Sequence, residues 1–235
     1  MPTTYVLGVG PGLGASLCRR FARAKHSVAI MARSDKSLAP VRAELTGLGA
    51  RVAAVEVDAS DAASITSAFS RARTEVGPAD VLIYNAAAFQ MGGILDITPE
   101  DFERCFRANC MGAFLAAQRV LPDMIAAKRG TILLTGATAS LRGGARFACL
   151  AVGKFGLRAL SQSLAREFQP QGIHVAHVVV DGQIDTPRAR AMFPDRDTRT
   201  FLSPDAIAET FWQLHAQDPT AWTQEIDVRP AAEKF

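Results

Sequence analysis

The sequence predicts an α/β fold, a doubly wound parallel sheet of about seven strands with helices on both faces. Two observations carry this prediction. Short apolar runs rich in β-branched residues alternate along the chain with longer stretches of helical period. The apolar runs are nearly continuous, which is typical of strands buried on both faces of a sheet. Repeated alternation of strand and helix therefore predicts parallel strands joined by crossover helices.

Seven apolar runs have the length of strands. In chain order they are 4–9, 27–32, 51–57, 81–86, 130–136, 174–180 and, more weakly, 225–228. The carboxyl ends of parallel strands meet at one edge of the sheet, and ligands of doubly wound folds bind there. We therefore expect the functional residues directly after these runs.

Helical periodicity fills the intervals between the runs. Helices are predicted at 13–24, 35–49, 61–75, 99–127, 145–169 and 204–217. Two of them are preceded by Thr98 and Ser203, each followed by proline and an acid, which is favourable chemistry for a first helical turn. No low-complexity linker interrupts the pattern, so we expect one domain over residues 1–235.

The composition limits the classes of function. A net charge of +3 without a basic run argues against nucleic acid. The four cysteines show no CxxC pair or zinc spacing, so we expect reduced thiols and no metal. No apolar run approaches the roughly 20 residues of a membrane span, and the first residues have no secretion-signal pattern. These features predict a soluble cytoplasmic protein.

The first predicted strand leads into the glycine-rich stretch GVGPGLGAS. Gly8, Gly12 and Gly14 form G-x3-G-x-G, while Gly10, Gly12 and Ala15 also satisfy G-x-G-x-x-A. Glycines at a strand-to-helix turn allow tight turning and let a pyrophosphate approach the helix N-terminus. On the first strand–helix unit of a parallel sheet, the motif predicts a Rossmann-type dinucleotide-binding fold. The alternative is a glycine-rich turn without a ligand.

Arg33 follows the second predicted strand, in the segment Ala32-Arg33-Ser34. An acid at this point would bind the adenine ribose hydroxyls and repel a 2′-phosphate, whereas a guanidinium attracts that phosphate. The sequence therefore predicts that NADP(H) is preferred over NAD(H). The alternative is that Arg33 is a solvated surface residue.

Three further features make the chain similar to the short-chain dehydrogenase/reductase family. Asp58 resembles the adenine-contacting aspartate of the family. The segment YNAA at 84–87 resembles its Asn-Asn-Ala-Gly motif, with the first Asn and the Gly replaced. Asn109 resembles the helix asparagine that supports the active-site water. The resemblance extends over roughly residues 4–230.

A fourth similarity lies after the sixth predicted strand. The segment GQIDT at 182–186 resembles the family's Pro-Gly-x-Ile-x-Thr segment, which holds the nicotinamide amide, although Asp181 stands where proline is usual. The segment 187–202 is expected to be a loop over the substrate entrance. The resemblance implies that the cofactor is bound by Gly8, Gly10, Gly12, Leu13, Gly14, Arg33, Ser34, Asp58, Ala59, Asn85, Ala86, Ala87, Lys154, Gly182, Ile184 and Thr186.

The predicted helix CLAVGKFGLRAL, at 149–160, departs from the family. There the helix carries Tyr-x-x-x-Lys, whose i, i+4 spacing puts both side chains on one face. In the family, the lysine lowers the tyrosine pKa and binds the nicotinamide ribose, and the tyrosine moves the proton on the substrate oxygen. Lys154 matches the lysine, but Leu150 stands at the tyrosine position and Ala137 at the catalytic serine position.

Four other residues have groups that bear on the missing proton donor. Thr138 could hydrogen-bond a carbonyl, although an unassisted hydroxyl is a poor acid. Asp181 would be an acid only if burial raised its pKa, and a turn-forming role is the simpler interpretation. His174 and His177 are three apart on a predicted strand, so they face opposite sides and are predicted to be structural. The predicted catalytic residues are Lys154, Asn109 and Thr138.

The resemblance implies an NADP(H)-dependent oxidoreductase that acts on a small-molecule carbonyl or alcohol at an atypical active site. Removing one oxyanion donor typically costs about 10²–10³ in rate, so a chain without both the tyrosine and the serine should be slow. Two alternatives stay open: a non-redox enzyme, or an inactive NADP(H)-binding sensor or interaction protein on the same scaffold. The resemblance also implies a homodimer or homotetramer that pairs the helices predicted at 99–127 and 145–169.

Overall fold

The computed structural model describes residues 1–232 and has a seven-stranded parallel sheet at its centre. The strand order is β3-β2-β1-β4-β5-β6-β9, which confirms the predicted doubly wound fold. A separate two-stranded sheet pairs β7 with β8. The strands are β1 (Thr3–Leu7), β2 (Ser27–Ala32), β3 (Val52–Glu56), β4 (Val81–Tyr84), β5 (Gly130–Thr135), β6 (Ile173–Val180), β7 (Gln183–Ile184), β8 (Phe201–Leu202) and β9 (Glu225–Val228).

Helices cover both faces of the large sheet. They are α1 (Leu13–Arg23), α2 (Asp35–Gly47), α3 (Ala62–Val76), α4 (Pro99–Phe106), α5 (Gly112–Ala127), α6 (Ala148–Phe168), α7 (Pro187–Met192) and α8 (Pro204–His215). Thr98 and Ser203 cap α4 and α8 as predicted, since each hydroxyl accepts a backbone N–H of the first turn. No helix within residues 1–232 is long and apolar enough to cross a membrane.

Two apolar cores flank the sheet. One contains Leu82, Leu134 and Val175 together with α3, α5 and α6, and the other contains Ile83, Leu133 together with α1, α2 and α8. All eight residues of β6 are buried, which explains why the central runs show no alternation in the sequence. Because the strands of the large sheet are parallel, their carboxyl ends and the loops that follow meet at one edge of the sheet.

The chain is helical from 99 to 127, as predicted, but the helix contains an interruption that the sequence did not indicate. The chain forms α4, then a π-helical turn over Arg107–Met111, then α5. The turn is held by the Tyr84 hydroxyl, which donates to the Ala108 carbonyl over 2.6 Å, and by buried Asn109. A π turn shifts the helical register at one point, often at functional sites, and apolar periodicity does not reveal such a local shift.

Two other predicted boundaries are also corrected. Helix α6 begins at Ala148 rather than 145, since Arg146 has φ of +67°, which is left-handed backbone. The segment predicted as a loop at 187–202 contains α7 and β8. Thr186 caps α7 through its hydroxyl and Pro187 occupies the first helical turn, which together form a helix start signal.

Candidate active site

The glycine loop between β1 and α1 packs backbone against backbone. Gly8 has φ of +102°, and a Cβ on it would lie 2.3 Å from the Ala86 nitrogen. A Cβ on Gly14 would lie 2.6 Å from the Gly8 carbonyl oxygen. Asn85 donates from Nδ2 to the same Gly8 oxygen over 2.8 Å. Only glycine fits at positions 8 and 14, so the loop is held close to the carboxyl end of β4.

The N-terminus of α1 is left open by the same loop. Gly12 is the N-cap residue, and no side chain caps the helix. Leu13 is buried beneath the first turn. Because the first N–H groups of a helix carry partial positive charge and need acceptors, this terminus suits an anionic group.

A cleft of about 810 Å³ opens beside the glycine loop. The predicted cofactor residues that line it are Gly8, Gly10, Arg33, Ser34, Asp58, Ala59, Asn85, Ala86 and Ala87. Its charged lining comprises three guanidinium groups, of Arg33, Arg104 and Arg188, and one carboxylate, of Asp58. The excess of positive charge favours a ligand with several phosphates.

Asp58 follows the carboxyl end of β3 by two residues and lines the cleft. Its Oδ1 accepts the Ser60 N–H over 2.8 Å and the Ser60 hydroxyl over 2.7 Å. The pKa of Asp58 is lowered chiefly by the hydrogen bond from the Ser60 backbone N–H. The Ser60 hydroxyl and the charge of Arg33 lower it further. Asp58 is therefore a fixed carboxylate that faces the exposed Arg33 side chain.

The remaining predicted cofactor residues lie outside this cleft. A Cβ on Gly12 would come within 2.7 Å of Thr186 Cγ2, so the segment at 182–186 adjoins the glycine loop. Gly182 has φ of +153°, and Ile184 pairs with Leu202 in the small sheet. Lys154 lies on α6, beyond the end of β5. The predicted residues thus form two neighbouring groups along one edge of the sheet.

Lys154 is buried, with 4 % of its surface exposed, and its Nζ donates to the Thr135 carbonyl oxygen over 2.7 Å. Burial lowers the pKa of Lys154 from 10.5 to about 8. Gly153, the preceding residue, lies against Asn109, where a Cβ would be 2.6 Å from the Asn109 Cβ. The close approach fixes α6 against the π turn.

Asn109 holds a neighbouring loop with its side-chain amide. Its Nδ2 donates to the Ala88 carbonyl over 2.8 Å, and its Oδ1 accepts the Ala88 N–H over 3.3 Å. Both amide atoms are engaged, and the side chain is fully buried. Asn109 therefore shapes the backbone that follows β4, where Ala87 lines the cleft.

Leu150 lies one turn before Lys154 on α6 and is half-buried. Ala137 begins the turn after β5, and its N–H donates to the Ser140 hydroxyl over 3.1 Å. Thr138 donates its hydroxyl hydrogen to Asp181 Oδ1. Asp181 also pairs with Arg229, at 3.4 Å. The Thr138 hydrogen is thus directed to a carboxylate that has a cation beside it.

The sequence interpretation missed Arg104 and Arg188 in the cleft. Arg188 stands two residues after Thr186, so its proximity to the cofactor segment was a usable signal. Arg104 lies on α4, and no local pattern placed it near the strand ends. His177 was predicted to be structural, and the structure places it beside the end of β5, where a Cβ on Gly136 would lie 2.3 Å from its Nε2.

Large exposed apolar side chains gather on the segments that follow β4, β5 and β7, and we call them the apolar rim. Its members are Phe89, Met91, Ile94, Leu95, Leu141, Phe147, Met192 and Phe193. Two of the segments are joined, since the Phe89 and Phe147 rings lie 5.6 Å apart and the Gly92 N–H donates to the Arg146 carbonyl over 3.1 Å.

Comparison with known proteins agrees with this architecture. The family model described as short chain dehydrogenase matches residues 2–197. The oxidoreductase UcpA of Salmonella typhimurium is 31% identical over 191 residues, which are 81% of this chain and 72% of that protein. The 3-oxoacyl-acyl-carrier-protein reductase MabA of Mycobacterium tuberculosis is 30% identical over 190 residues, with the same two coverages of 81% and 72%.

Solved structures match over nearly the whole length. The crystal structure of a short-chain dehydrogenase from Rhodopseudomonas palustris has a TM-score of 0.84 and 36% identity, covering 97% of this chain and 98% of that chain. A metagenomic short-chain oxidoreductase in complex with NADP has a TM-score of 0.85 and 26% identity, covering 98% of each chain. With its glycine loop, sheet order and helix lysine in place, the chain belongs to the short-chain dehydrogenase family.

Proposed function

We propose that the protein is an NADP(H)-dependent oxidoreductase that interconverts a carbonyl compound and an alcohol, with Lys154 as the proton donor for reduction. One observation carries the proposal: a buried lysine with a pKa of about 8 lies one turn from Leu150, where the family has its tyrosine. An acid with a pKa near the working pH is well suited to general acid catalysis.

The cleft fits NADP(H). The glycine loop keeps side chains away from the uncapped N-terminus of α1, where a pyrophosphate would bind. Arg33, at the end of β2, would hold the 2′-phosphate, and Arg188 would face the other phosphates from α7. The metagenomic relative bound to NADP supports the same choice. When bound, NADPH supplies the hydride that reduces the carbonyl carbon.

Lys154 has the donors for two tasks. An ammonium carries three N–H groups, and the Thr135 carbonyl accepts one of them. The other two serve to hold a ribose hydroxyl of the cofactor and to give a proton to the substrate oxygen, directly or through one water. The oxygen becomes the alcohol hydroxyl, and the resulting amine recovers its proton from solvent. Leu150 supplies an apolar wall and takes no part in proton transfer.

The other predicted catalytic residues have supporting roles in this proposal. Asn109 positions the loop at Ala88 and thereby the cleft wall. Thr138 would contact the substrate oxygen only after its hydroxyl turns away from Asp181, so it is a second contact rather than the acid.

The apolar rim indicates the kind of substrate. Its exposed side chains, among them Phe89, Leu141 and Met192, lie on segments that follow the carboxyl ends of β4, β5 and β7, the edge at which we place the substrate. We therefore propose a carbonyl or alcohol compound with an apolar body. Assembly as a homodimer or homotetramer and a cytoplasmic location stay predictions from the sequence.

The test is NADPH oxidation with a panel of aldehydes and ketones between pH 6 and pH 9, for the natural protein and two variants. Lys154→Arg keeps a positive charge but cannot release a proton near neutral pH. We expect it to bind NADPH and to lose turnover, and we expect Lys154→Met to weaken both. Turnover retained in Lys154→Arg would contradict the proton-donor role. NADPH binding by the natural protein without turnover of any substrate would favour the sensor.

A further inference from the structure

His177 is a fully buried titratable residue that the proposed mechanism does not use. It lies on β6 opposite Leu134, and its exposed fraction is 0 %. Val175, two residues earlier on the same strand, belongs to the core on the α6 side of the sheet. Because side chains alternate along a strand, His177 also faces α6, the helix that carries Lys154.

One edge of the imidazole is tied to β9 and, through it, to α6. His177 Nδ1 lies 2.9 Å from Glu225 Oε2. Arg158 donates to both oxygens of the same carboxylate, over 2.7 Å from Nε and 2.6 Å from Nη2. Arg158 follows Lys154 by one turn on the same face of α6.

The other edge of the imidazole lies against the end of β5. A Cβ on Gly136 would be only 2.3 Å from His177 Nε2, so the absence of a side chain at 136 makes room for the ring. The preceding residue, Thr135, provides the carbonyl that accepts the Lys154 ammonium. Within residues 1–232, His177 Nε2 has no hydrogen-bond partner.

These contacts link α6, β5, β6 and β9 in a closed ring. It runs from Lys154 to the end of β5, across the Gly136 contact to His177, on to Glu225 in β9, and back to α6 at Arg158. We propose that His177 is a positioning residue for Lys154, which braces the β5 end that anchors the ammonium and keeps a neutral ring beside it. The proposal rests on the role of Lys154 given above.

The charges around the ring agree with a neutral imidazole. Lys154 and Arg158 face it from α6, Glu225 faces it from β9, and β5 contributes only backbone at Gly136. Burial first, and then the two cations, lower the pKa of His177, while Glu225 opposes them. With Nδ1–H donated to Glu225, the bare Nε2 is an acceptor and does not repel the ammonium.

The test measures the acid constant of Lys154 directly. Trace labelling with acetic anhydride, followed by peptide mass spectrometry, gives the labelling rate of Lys154 as a function of pH. Exposed Lys36 in the same sample is the internal reference. The variants are His177→Phe, which keeps a buried ring without the Glu225 bond, and Glu225→Gln, which removes the carboxylate and leaves Arg158 uncompensated. The matched control is His174→Gln, on the same strand but facing the opposite side.

In the natural protein we expect a labelling midpoint near pH 8. In both His177→Phe and Glu225→Gln the midpoint should fall by about half a pH unit or more, roughly a threefold change in the acid constant. The ammonium loses its neutral polar neighbour in the first variant and gains an uncompensated cation nearby in the second. His174→Gln should keep the natural midpoint. General loosening would hydrate the ammonium and raise the midpoint toward 10.5, which is opposite to the expected fall.

The proposal would be overturned if the midpoints of both variants stayed within about 0.2 pH units of the natural value, well short of the half-unit shift. An equal shift in His174→Gln would also overturn it. If His177→Phe does not fold, Glu225→Gln alone decides, because its carboxylate is partly exposed. The labelling measurement needs no turnover. If the natural protein reduces no carbonyl compound but the variants show the shift, the proposed function is rejected and this inference stands.

Discussion

Lys154 Nζ donates a 2.7 Å hydrogen bond to the carbonyl oxygen of Thr135, the last residue of β5. The bond places the ammonium at the carboxyl edge of the sheet, close to the turn that begins at Ala137. It is the one protein acceptor that the structure gives this buried cation within residues 1–232. The chemistry of the site therefore depends on how a largely desolvated ammonium behaves.

Lys154→Met should stabilise the fold while it weakens NADPH binding and turnover. The pKa of the folded-state lysine is lowered from 10.5 to about 8, so the unfolded state binds more protons between these values. The unfolding free energy of the natural protein should thus rise with pH through this window. At pH 7 the lysine is charged in both states, so burial of the ammonium lowers the unfolding free energy by its whole amount. We expect the variant to gain about 1–3 kcal/mol of unfolding free energy at pH 7.

Urea unfolding at several pH values measures this effect. The variant should lose the rise in stability between pH 8 and pH 10.5 that we expect of the natural protein. A variant that is less stable than the natural protein at pH 7 would mean that the bond to Thr135 outweighs the desolvation of the ammonium.

Leu150→Tyr and Ala137→Ser should raise NADPH-dependent reduction of activated ketones. The first places a phenol one turn from Lys154, where the ammonium would lower its pKa, and the second restores a hydroxyl next to Gly136. We expect the tyrosine to contribute more, although its larger side chain can overpack the pocket. Steady-state NADPH oxidation by the natural protein, both single variants and the double variant decides.

Two results would count against this prediction. Natural turnover of about 10 s⁻¹, an ordinary enzyme rate, would mean that the protein needs no phenol. A folded double variant that binds NADPH and gains no activity would mean that the pocket serves another reaction.

Arg33→Ala should weaken NADPH binding more than NADH binding. The guanidinium lines the cleft at the end of β2, where a 2′-phosphate would bind, and NADH has no such group. We expect about a tenfold loss for NADPH, the effect of one modest charge-assisted contact. Fluorescence titration with both cofactors measures it, and Lys36→Ala is the control, an exposed cation on α2 that does not line the cleft. Equal losses for both cofactors would contradict the assigned role.

Acid should destabilise the fold through the histidines at the amino end of the sheet. The His26 and His215 rings lie 5.5 Å apart, and burial, with the nearby His26 and His174, lowers the pKa of His215 from 6.5 to about 4. The unfolded state then binds more protons, so stability should fall as the pH falls from 6.5 to 4. His215→Gln, which retains a polar partner for Thr131, should flatten this fall by about one bound proton. Thermal unfolding across this range measures the slope, and an unchanged slope in the variant would refute the assignment.

The helix faces of α4, α5 and α6 should pair two subunits. Phe102, Phe114 and Phe155 are exposed on these helices, with exposed fractions of 37%, 41% and 42%. Burying them in an isologous interface would remove apolar surface from water. Phe114→Glu combined with Phe155→Glu should lower the mass in light scattering at micromolar concentration, while Leu48→Glu, at another exposed site, should not. A natural protein that shows only a 25.1 kDa species would refute the prediction.

Local patterns determined most of the fold. Continuous β-branched runs specified the seven parallel strands because burial on both faces leaves a mark on every residue of a strand. The glycine loop could be identified from its spacing and its place after the first strand, whereas Lys154, Leu150 and Ala137 were singled out by the resemblance to the family. The π turn could not be predicted from the sequence because it changes the helical register without changing the residue types.

Tertiary structure decided what those residues can do. Thr138 meets Asp181 across 43 positions and Arg158 meets Glu225 across 67, and no periodicity relates such distant residues. Arg104 and Arg188 enter one cleft, and the ring of His177 fills the space beside Gly136, only after the strands align. Residue identity sets which groups can ionise, but desolvation and charge pairing exist only once distant elements pack together. For that reason the lowered pKa of Lys154 belongs to the fold and not to the sequence motif.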